Sequence, residues 1–124
     1  MRHSAGMTHH NKLVGGYGER LAGRYLVSQG LVLLDRNWRC PAGEVDLIAR
    51  DGADVVFVEV KTRRSVRFGP PSEAVGPEKV RRLRRLAVQW LAANQRGGFE
   101  QVRFDVVSVL LGRSAAVQHL RGVF

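Results

Sequence analysis

The sequence of 124 residues contains a single cysteine, no long apolar run and few acidic residues. One cysteine excludes an intramolecular disulfide and is typical of a protein of the reducing cytoplasm. Because no apolar run approaches the roughly 18 residues that span a membrane, we expect no membrane partner. The first residues also lack the apolar core of a secretory signal. We therefore predict a disordered N-terminal tail at residues 1–14 and one cytoplasmic domain at residues 15–124.

The scarcity of acidic residues leaves a net charge of +9, from 20 Lys and Arg against 11 Asp and Glu. Nine of the basic residues lie between residues 61 and 85, together with only two acidic ones. This density of positive charge is typical of proteins that bind an acidic polymer, and nucleic acid is the leading candidate. A solvated basic surface is the alternative explanation. The residues that we expect to contact phosphates are Arg63, Arg64, Arg67, Lys79, Arg81, Arg82, Arg84 and Arg85.

Two runs rich in β-branched residues, at 45–49 and 55–61, predict a β-hairpin. Gly52 and Ala53 lie between the runs and suit a two-residue type II′ turn, because glycine accepts the positive φ of the first central position. The turn sets the register of the two strands and therefore decides which side chains meet across the hairpin.

This register places Asp46 opposite Glu59 and Glu44 opposite Lys61, on one face of the sheet. Two carboxylates about 4 Å apart repel by ~4 kcal/mol at an effective dielectric constant of about 20, so such a pair requires compensation. A bound Mg²⁺ would compensate, because this ion prefers one or two carboxylates together with waters and phosphate oxygens. Surface salt bridges on a half-solvated sheet, with Lys61 paired to Glu44, are the alternative explanation.

Apolar periodicity predicts a helix on each side of the first three strands along the chain. The predicted elements are a helix at 18–29, strands at 31–39, 45–49 and 55–61, a second helix that ends before Gln95, a strand at 102–111 and a further strand at 115–120. Ser72 suits the N-cap of the second helix and Glu73 its first turn, but Gly76-Pro77 interrupts, so Pro77 is the alternative start. Because a helix connects strands three and four, we expect those strands to be parallel, with a right-handed connection. The predicted fold class is α/β, a single domain with a mixed β-sheet flanked by helices. Asp105, in strand four, is expected either to act as a cap or to pair with an arginine.

An acid followed by Glu-x-Lys on the next strand, within an αβββαβ order, resembles the PD-(D/E)xK nuclease superfamily and its restriction-endonuclease-like core. More closely, the sequence resembles the YraN family of small bacterial proteins, which is itself similar to Holliday junction resolvases. The resemblance extends over about residues 16–110, and one departure is Val45, which stands where the superfamily's name has a proline. The motifs that carry it are Gly18-Glu19, Gly-Glu-Val-Asp-Leu-Ile at 43–48, Phe-Val-Glu-Val-Lys-Thr-Arg at 57–63 and Arg-Phe-Asp-Val-Val at 103–107.

The resemblance implies metal-assisted hydrolysis of phosphodiester bonds in DNA, including branched DNA. In this sequence, Asp46, Glu59 and the backbone carbonyl of Val60 would bind Mg²⁺ or Mn²⁺. Lys61 would position or help to deprotonate the attacking water, and Glu19 matches an acid that some members add to the metal site. The chemistry is consistent, because a metal neutralises developing charge and lowers the pKa of its bound water. Resolvases of the superfamily act as dimers, so a homodimer is one assembly that the resemblance allows.

Two other functions are consistent with the residues. A catalytically silent accessory protein would bind nucleic acid through the basic helix at residues 79–85 and would need no metal. A small protein-interaction domain would dock an acidic partner on the same basic face. The second of these leaves the acidic cluster of the hairpin unexplained, so we rank it last.

Overall fold

A computed structural model describes residues 9–64, 76–94 and 98–123, and these residues form a mixed five-stranded sheet with one helix on each face. The elements are α1 (His9–Ser28), β1 (Val32–Cys40), β2 (Gly43–Asp51), β3 (Asp54–Arg63), α2 (Pro77–Asn94), β4 (Gln101–Leu110) and β5 (Ala116–Leu120). The strands lie side by side in chain order, and the predicted α/β class and αβββαβ order are confirmed. Neither helix of the described residues is long and apolar enough to cross a bilayer.

The hairpin formed by β2 and β3 has the predicted register. Its ladder begins at the pair Asp51–Asp54 and extends to the pair Leu47–Val58. Gly52 adopts a φ of 61°, as the first central position of a type II′ turn requires. The next strand pair, β3 with β4, is parallel, as expected for strands joined by a crossover helix.

Helix α1 begins at His9, nine residues before the predicted start at Gly18. The prediction started late because the apolar spacing begins only at Leu21, and because glycines disfavour a helix by about 1 kcal/mol each relative to alanine. Residues 1–8 lie outside the described residues, so the domain boundary at residue 15 stays a prediction. The helix ends where expected, since Gly30 has a φ of 94°.

The hydrophobic core has two halves, one on each face of the sheet. Each strand of the sheet centre contributes to both halves, because successive side chains point to opposite faces. The half under α1 contains Ala22, Leu26, Leu31, Leu47, Ala49, Val56, Val58, Val107 and Val109. The half under α2 contains Val45, Ile48, Val55, Phe57, Leu83, Leu86, Ala87, Trp90 and Phe104.

Helix α2 begins at Pro77, one of the two predicted starts, and Trp90 anchors it to the sheet. The other predicted start, Ser72, lies outside the described residues. The indole of Trp90 is 1% exposed, and its Nε1 donates a hydrogen bond of 3.1 Å to Asp35 Oδ2 on β1. The same ring meets Phe57 of β3 edge to face, with 5.8 Å between the ring centroids. These contacts fix the position of α2, and therefore of its first turn, relative to β3.

Candidate active site

Asp46 lies at the point where the β2–β3 ladder ends. The last ladder pair is Leu47–Val58, and Asp46 is the next residue of β2. Its Oδ2 accepts a hydrogen bond of 2.8 Å from the backbone N–H of Val60 on β3. Because the N–H groups of a strand point toward the neighbouring strand, this carboxyl group lies between β2 and β3, close to the plane of the sheet. The side chain thus supplies the acceptor that the backbone of β2 would supply in a longer ladder.

A local irregularity of β2 turns Asp46 toward β3. Val45 and Ile48 both pack on the α2 side of the sheet, whereas Leu47 packs on the α1 side. In a regular strand, residues three positions apart face opposite sides, so the alternation is interrupted at Asp46. In the adjoining strand β1, Asn37 adopts a left-handed φ of 49° between the residues that pair with Leu47 and Val45.

Glu59 projects from β3 toward α2 and forms an ion pair with Lys79. The distance between Lys79 Nζ and Glu59 Oε2 is 2.5 Å, and the two side chains are 19% and 16% exposed. Since both groups are largely shielded from water, removal of one would leave the other charge poorly compensated. The structure brings Lys79 to the acidic cluster, and its predicted contact with phosphate stays a prediction.

This position of Lys79 could have been predicted from its spacing along α2. Lys79 precedes the buried Trp90 by eleven residues, which is about three turns of helix. The two side chains therefore project on the same side of α2, toward the sheet. Arg81 and Arg84 project elsewhere and are exposed.

The electrostatics of the site favour a proton on Asp46. Burial raises the pKa of Asp46 to about 8, and the nearby charge of Glu59 acts in the same direction. The hydrogen bond from the Val60 N–H opposes the rise, while the charge of Glu19 and a side-chain hydrogen bond with Glu59 add to it. The two carboxyl groups on which the predicted metal site depends are therefore brought together, and near neutral pH Asp46 keeps its proton unless a cation stabilises the charged form.

Glu19 reaches this region because α1 approaches β3 closely at Gly18. A methyl group at Gly18 would overlap the side chain of Thr62 on β3, so the approach depends on glycine at this position. Glu19 follows Gly18, and its charge contributes to the raised pKa of Asp46. The sequence predicted Glu19 as a site residue, and the contact between Gly18 and Thr62 was not predicted.

Lys61, like Lys79, lies beside the carboxylate of Glu59. Burial lowers the pKa of the Lys61 ammonium, and the positive charge of Lys79 acts in the same direction. The charge of Glu59 opposes both effects. Two ammonium groups therefore flank Glu59, one from β3 and one from α2.

Comparison with known proteins identifies the family of this chain. Residues 18–109 match the model of a family described as "Uncharacterised protein family UPF0102". The chain belongs to the UPF0102 family. It is 59% identical to the UPF0102 protein of Beutenbergia cavernae over 112 residues, which are 89% of this chain and 94% of the relative. The UPF0102 protein of Nocardia farcinica is 53% identical over 113 residues, 90% of this chain and 88% of the relative.

A third UPF0102 relative, from Rhodococcus opacus, is 50% identical over 117 residues, which are 93% of this chain and 98% of that protein. UPF0102 is the YraN family that the motifs resemble. The family's description names no activity, so membership supports the fold and the motifs, and the chemistry depends on the geometry of the site.

Glu44 does not join the acidic cluster of this UPF0102 protein in the predicted way. The β2–β3 ladder ends at Leu47, before Glu44 could face Lys61. Glu44 instead pairs with Arg39 across β1 and β2, with 3.1 Å between Oε1 and Nη2. The prediction of a Glu44–Lys61 pair was wrong because it assumed a regular ladder beyond Asp46.

The structure places most of the other basic residues predicted to contact nucleic acid on α2 and around the end of β3. Arg81, Arg82, Arg84 and Arg85 are exposed along α2, and the stem of Arg82 lies over Gly43, where β2 begins. Arg63 is half-buried at the end of β3, and Arg64 is exposed just beyond it. Arg67 lies outside the described residues.

The donor set at Asp46 and Glu59 fits a hard divalent ion. Within residues 9–64, 76–94 and 98–123, no three His, Cys, Asp or Glu side chains are arranged as a complete metal site. Mg²⁺ does not require three, because it keeps several waters and takes only one or two carboxylates from the protein. Asp46, Glu59 and the carbonyl of Val60 could hold such an ion, which would favour the charged form of Asp46.

A second shielded carboxylate, Asp105 on β4, has a different environment. Its side chain is 0% exposed and pairs with Arg103, as predicted, at 3.0 Å from Nε to Oδ1. His119 Nε2 lies 2.7 Å from Oδ2, and the N–H of Gly122 donates a hydrogen bond of 2.9 Å to Oδ1. Burial would raise the pKa of Asp105, but the hydrogen bonds from His119, Arg103 and Gly122 hold it below its ordinary value.

Proposed function

We propose that this UPF0102 protein is a Mg²⁺- or Mn²⁺-dependent endonuclease of the cytoplasm that hydrolyses phosphodiester bonds of DNA, including branched DNA. The observation that carries the proposal is the meeting of Asp46 and Glu59 at the end of the β2–β3 ladder. Two carboxyl groups in contact, with the pKa of Asp46 raised to about 8, form a site whose charge is best balanced by a divalent cation.

Asp46, Glu59 and the carbonyl of Val60 would hold the ion, with Glu19 near enough to act on it through water. A bound divalent ion would lower the pKa of the attacking water and neutralise charge that develops on the phosphate. Lys61 orients that water and stabilises the charge that develops during attack, a role that a shielded ammonium performs well.

The exposed arginines of α2 give the substrate its binding surface. Arg81, Arg82, Arg84 and Arg85 form a cationic row on the same helix that delivers Lys79 to the site. Arg63 and Arg64 lie at the end of the strand that carries Glu59 and Lys61. A backbone that crosses this surface would have phosphates near both groups of arginines. Symmetrical cleavage of a branched DNA would need two copies of the site, and a homodimer is the assembly we propose for it.

A catalytically silent nucleic-acid-binding protein is the second candidate. Two observations favour it: the ammonium of Lys79 already balances Glu59, and the described residues contain no group of three metal-binding side chains. In this case the arginines of α2 would bind nucleic acid, and the carboxylates would only support the fold.

Cleavage of a plasmid and of a synthetic four-way junction, each with Mg²⁺, Mn²⁺ or EDTA, separates the candidates. We expect metal-dependent cleavage by the wild type, a loss of roughly 10²-fold or more in Asp46→Asn and Lys61→Met, and no loss in Asp54→Asn. Asp54 is the matched control, because it lies on β3 at the opposite end from the site. Circular dichroism would check that each variant is folded.

Cleavage that persists unchanged in Asp46→Asn and Lys61→Met would contradict the endonuclease proposal. Binding without cleavage in every metal, abolished by Arg82→Glu with Arg85→Glu, would favour the silent binder. The loss of binding should be accompanied by a flatter dependence of affinity on salt, because fewer counterions are released.

A further inference from the structure

Among the basic residues of α2, Lys79 is the one whose described side chain contacts Glu59 of the acidic site. Its Nζ lies 2.5 Å from Glu59 Oε2, while the arginines at positions 81, 82, 84 and 85 of the same helix are exposed. The proposed function gives Glu59 to a metal and gives no role to this ion pair. The pair therefore needs an explanation of its own.

The position of Lys79 follows from the packing of α2. Lys79 lies on the side of the helix that also carries Leu83, Leu86 and Trp90, all buried against the sheet. The hydrogen bond from Trp90 Nε1 to Asp35 holds the helix in place. Lys79 thus reaches Glu59 from a fixed backbone position, and both side chains are largely shielded from water.

An ammonium at this position competes directly with a metal ion. A Mg²⁺ ion bound to Glu59 would lie about 2.0–2.1 Å from a carboxylate oxygen. The Nζ of Lys79 occupies the corresponding position on Oε2 and brings a single charge. Both cations would repel each other strongly if they shared that oxygen, so one has to leave when the other arrives.

The charges of the site indicate where Lys79 goes. When a divalent ion is bound, its two charges are balanced by Asp46 and Glu59. Lys61 and Lys79 are then two neighbouring ammonium groups, and Glu19 is the further carboxylate whose charge acts on this cluster. The phosphate backbone that the proposed reaction brings to the same place supplies an anion for the second ammonium group.

We propose that Lys79 holds the place of the divalent cation: it neutralises Glu59 in the metal-free protein and transfers to a phosphate oxygen of the nucleic acid when the cation binds. This inference rests on the proposed function. It makes the binding of cation and nucleic acid mutually supportive, because each favours the arrangement in which Lys79 has left Glu59.

Mn²⁺ binding without nucleic acid tests the first half of the inference. Isothermal titration and the electron paramagnetic resonance of free Mn²⁺ would give the dissociation constant for the wild type, Lys79→Met, Lys79→Gln, Arg84→Met and Glu59→Gln. We expect both Lys79 variants to bind Mn²⁺ about threefold to tenfold more tightly than the wild type, because the competing ammonium is gone. Arg84→Met is the matched control and should bind as the wild type does, whereas Glu59→Gln should lose binding.

Lys79→Gln keeps a hydrogen-bond donor for Glu59, and it provides the result if Lys79→Met does not fold. Wild-type binding that is lost in Glu59→Gln but equally strong or weaker in both Lys79 variants would overturn the inference and leave the proposed function intact. Absence of Mn²⁺ binding in the wild type and in every variant would instead overturn the metal dependence on which both rest.

DNA affinity tests the second half. Fluorescence anisotropy with a short duplex, in EDTA and in Ca²⁺, measures how much the cation strengthens DNA binding. We expect Lys79→Met to reduce that gain several-fold, because the ammonium that should move to the phosphate is absent. Arg84→Met should weaken binding equally in EDTA and in Ca²⁺. An unchanged gain in Lys79→Met would overturn the transfer to phosphate.

Discussion

Asp46 and Asp105 are both shielded carboxyl groups of the same sheet, but their surroundings shift their pKa values in opposite directions. Asp105 is met by Arg103, by His119 and by the N–H of Gly122, and its pKa lies below the ordinary value. Asp46 is met by one N–H and by two other acids, and its pKa rises to about 8. Burial acts on both in the same direction, so the difference comes from their partners.

This difference separates a carboxylate that stabilises the fold from one that does not. The partners of Asp105 join β4 to β5 and to the residues after β5, so its charge is balanced by groups that also hold the structure together. The charged form of Asp46 would be incompletely balanced at the end of a ladder, so its proton is retained. Carboxyl groups with strongly shifted pKa values and poorly balanced charge are concentrated at functional sites. A bound cation would stabilise the charged form of Asp46.

Asp105→Asn should give the largest loss of stability. The change removes the charge that pairs with Arg103 and His119 in a fully shielded position, and we expect a loss of about 3–5 kcal/mol in the free energy of unfolding. Urea unfolding followed by circular dichroism measures it. Asp51→Asn is the matched control, because Asp51 also pairs with Arg103, at 2.9 Å, but is 30% exposed. We expect the control to lose at most about 1 kcal/mol. Equal losses of stability in Asp105→Asn and Asp51→Asn would show that burial does not distinguish the two acids.

Gly18→Ala should give an intermediate loss of stability and should affect the surroundings of Asp46 but not those of Asp105. The added methyl group would overlap Thr62 and push α1 away from β3, at a cost of about 1–3 kcal/mol. Because Glu19 would move with the helix, the pKa of Asp46 should fall toward its ordinary value, while that of Asp105 should not change. Carboxyl chemical shifts followed by NMR during a pH titration would measure both.

Gly16→Ala is the control for this helix. A methyl group at Gly16 would lie 3.7 Å from Arg20, an ordinary contact, so the change should stabilise the protein by up to about 1 kcal/mol. A destabilised Gly16→Ala, or a Gly18→Ala protein as stable as the wild type, would contradict the proposed close approach of α1 to β3.

Asp46→Asn should have the smallest effect on stability at pH 5, with the opposite sign, and this effect should grow as the pH rises. The folded pKa of about 8 lies above the ordinary 3.8, so the folded protein binds this proton more tightly than the unfolded chain. The stability that the proton contributes is complete below pH 3.8 and is lost as the pH rises through 8. In EDTA, Asp46→Asn should therefore be more stable than the wild type by on the order of 1 kcal/mol at pH 5 and by several kcal/mol at pH 8–9, because the wild type loses about 1.4 kcal/mol per pH unit between the two pKa values.

Asp105 gives the reverse dependence, since its pKa is lowered and its stabilisation is lost as the pH falls below its ordinary value of 3.8. Urea unfolding between pH 3 and pH 9 would measure both trends. A wild type whose stability did not decline relative to Asp46→Asn between pH 5 and pH 8 would show that the site does not hold the extra proton.

Local patterns in the sequence predicted most of the fold. The Gly52-Ala53 turn determined the hairpin register, and the crossover helix from Pro77 determined that β3 and β4 are parallel. Both features depend on nearby residues with strong conformational preferences. The meeting of Asp46 with Glu59 followed from the same register, although the ladder ends at Leu47–Val58, before the predicted pairs of Asp46 with Glu59 and of Glu44 with Lys61.

Three features of the site depend on contacts between distant elements and were not predicted. The irregular alternation at Asp46 depends on how β1 and β2 twist around Asn37, which no local pattern of β2 indicates. The approach of α1 to β3 depends on Gly18 meeting Thr62. Lys79 was assigned to the basic surface by its charge, although its spacing from Trp90 places it toward the sheet.

A crystal of the protein soaked in Mn²⁺ tests the central claim most directly, through the anomalous scattering of the ion. We expect one strong anomalous peak between the carboxylates of Asp46 and Glu59, with Lys79 no longer in contact with Glu59. A fully soaked crystal with no peak at that position, and with Lys79 still bound to Glu59, would contradict the account.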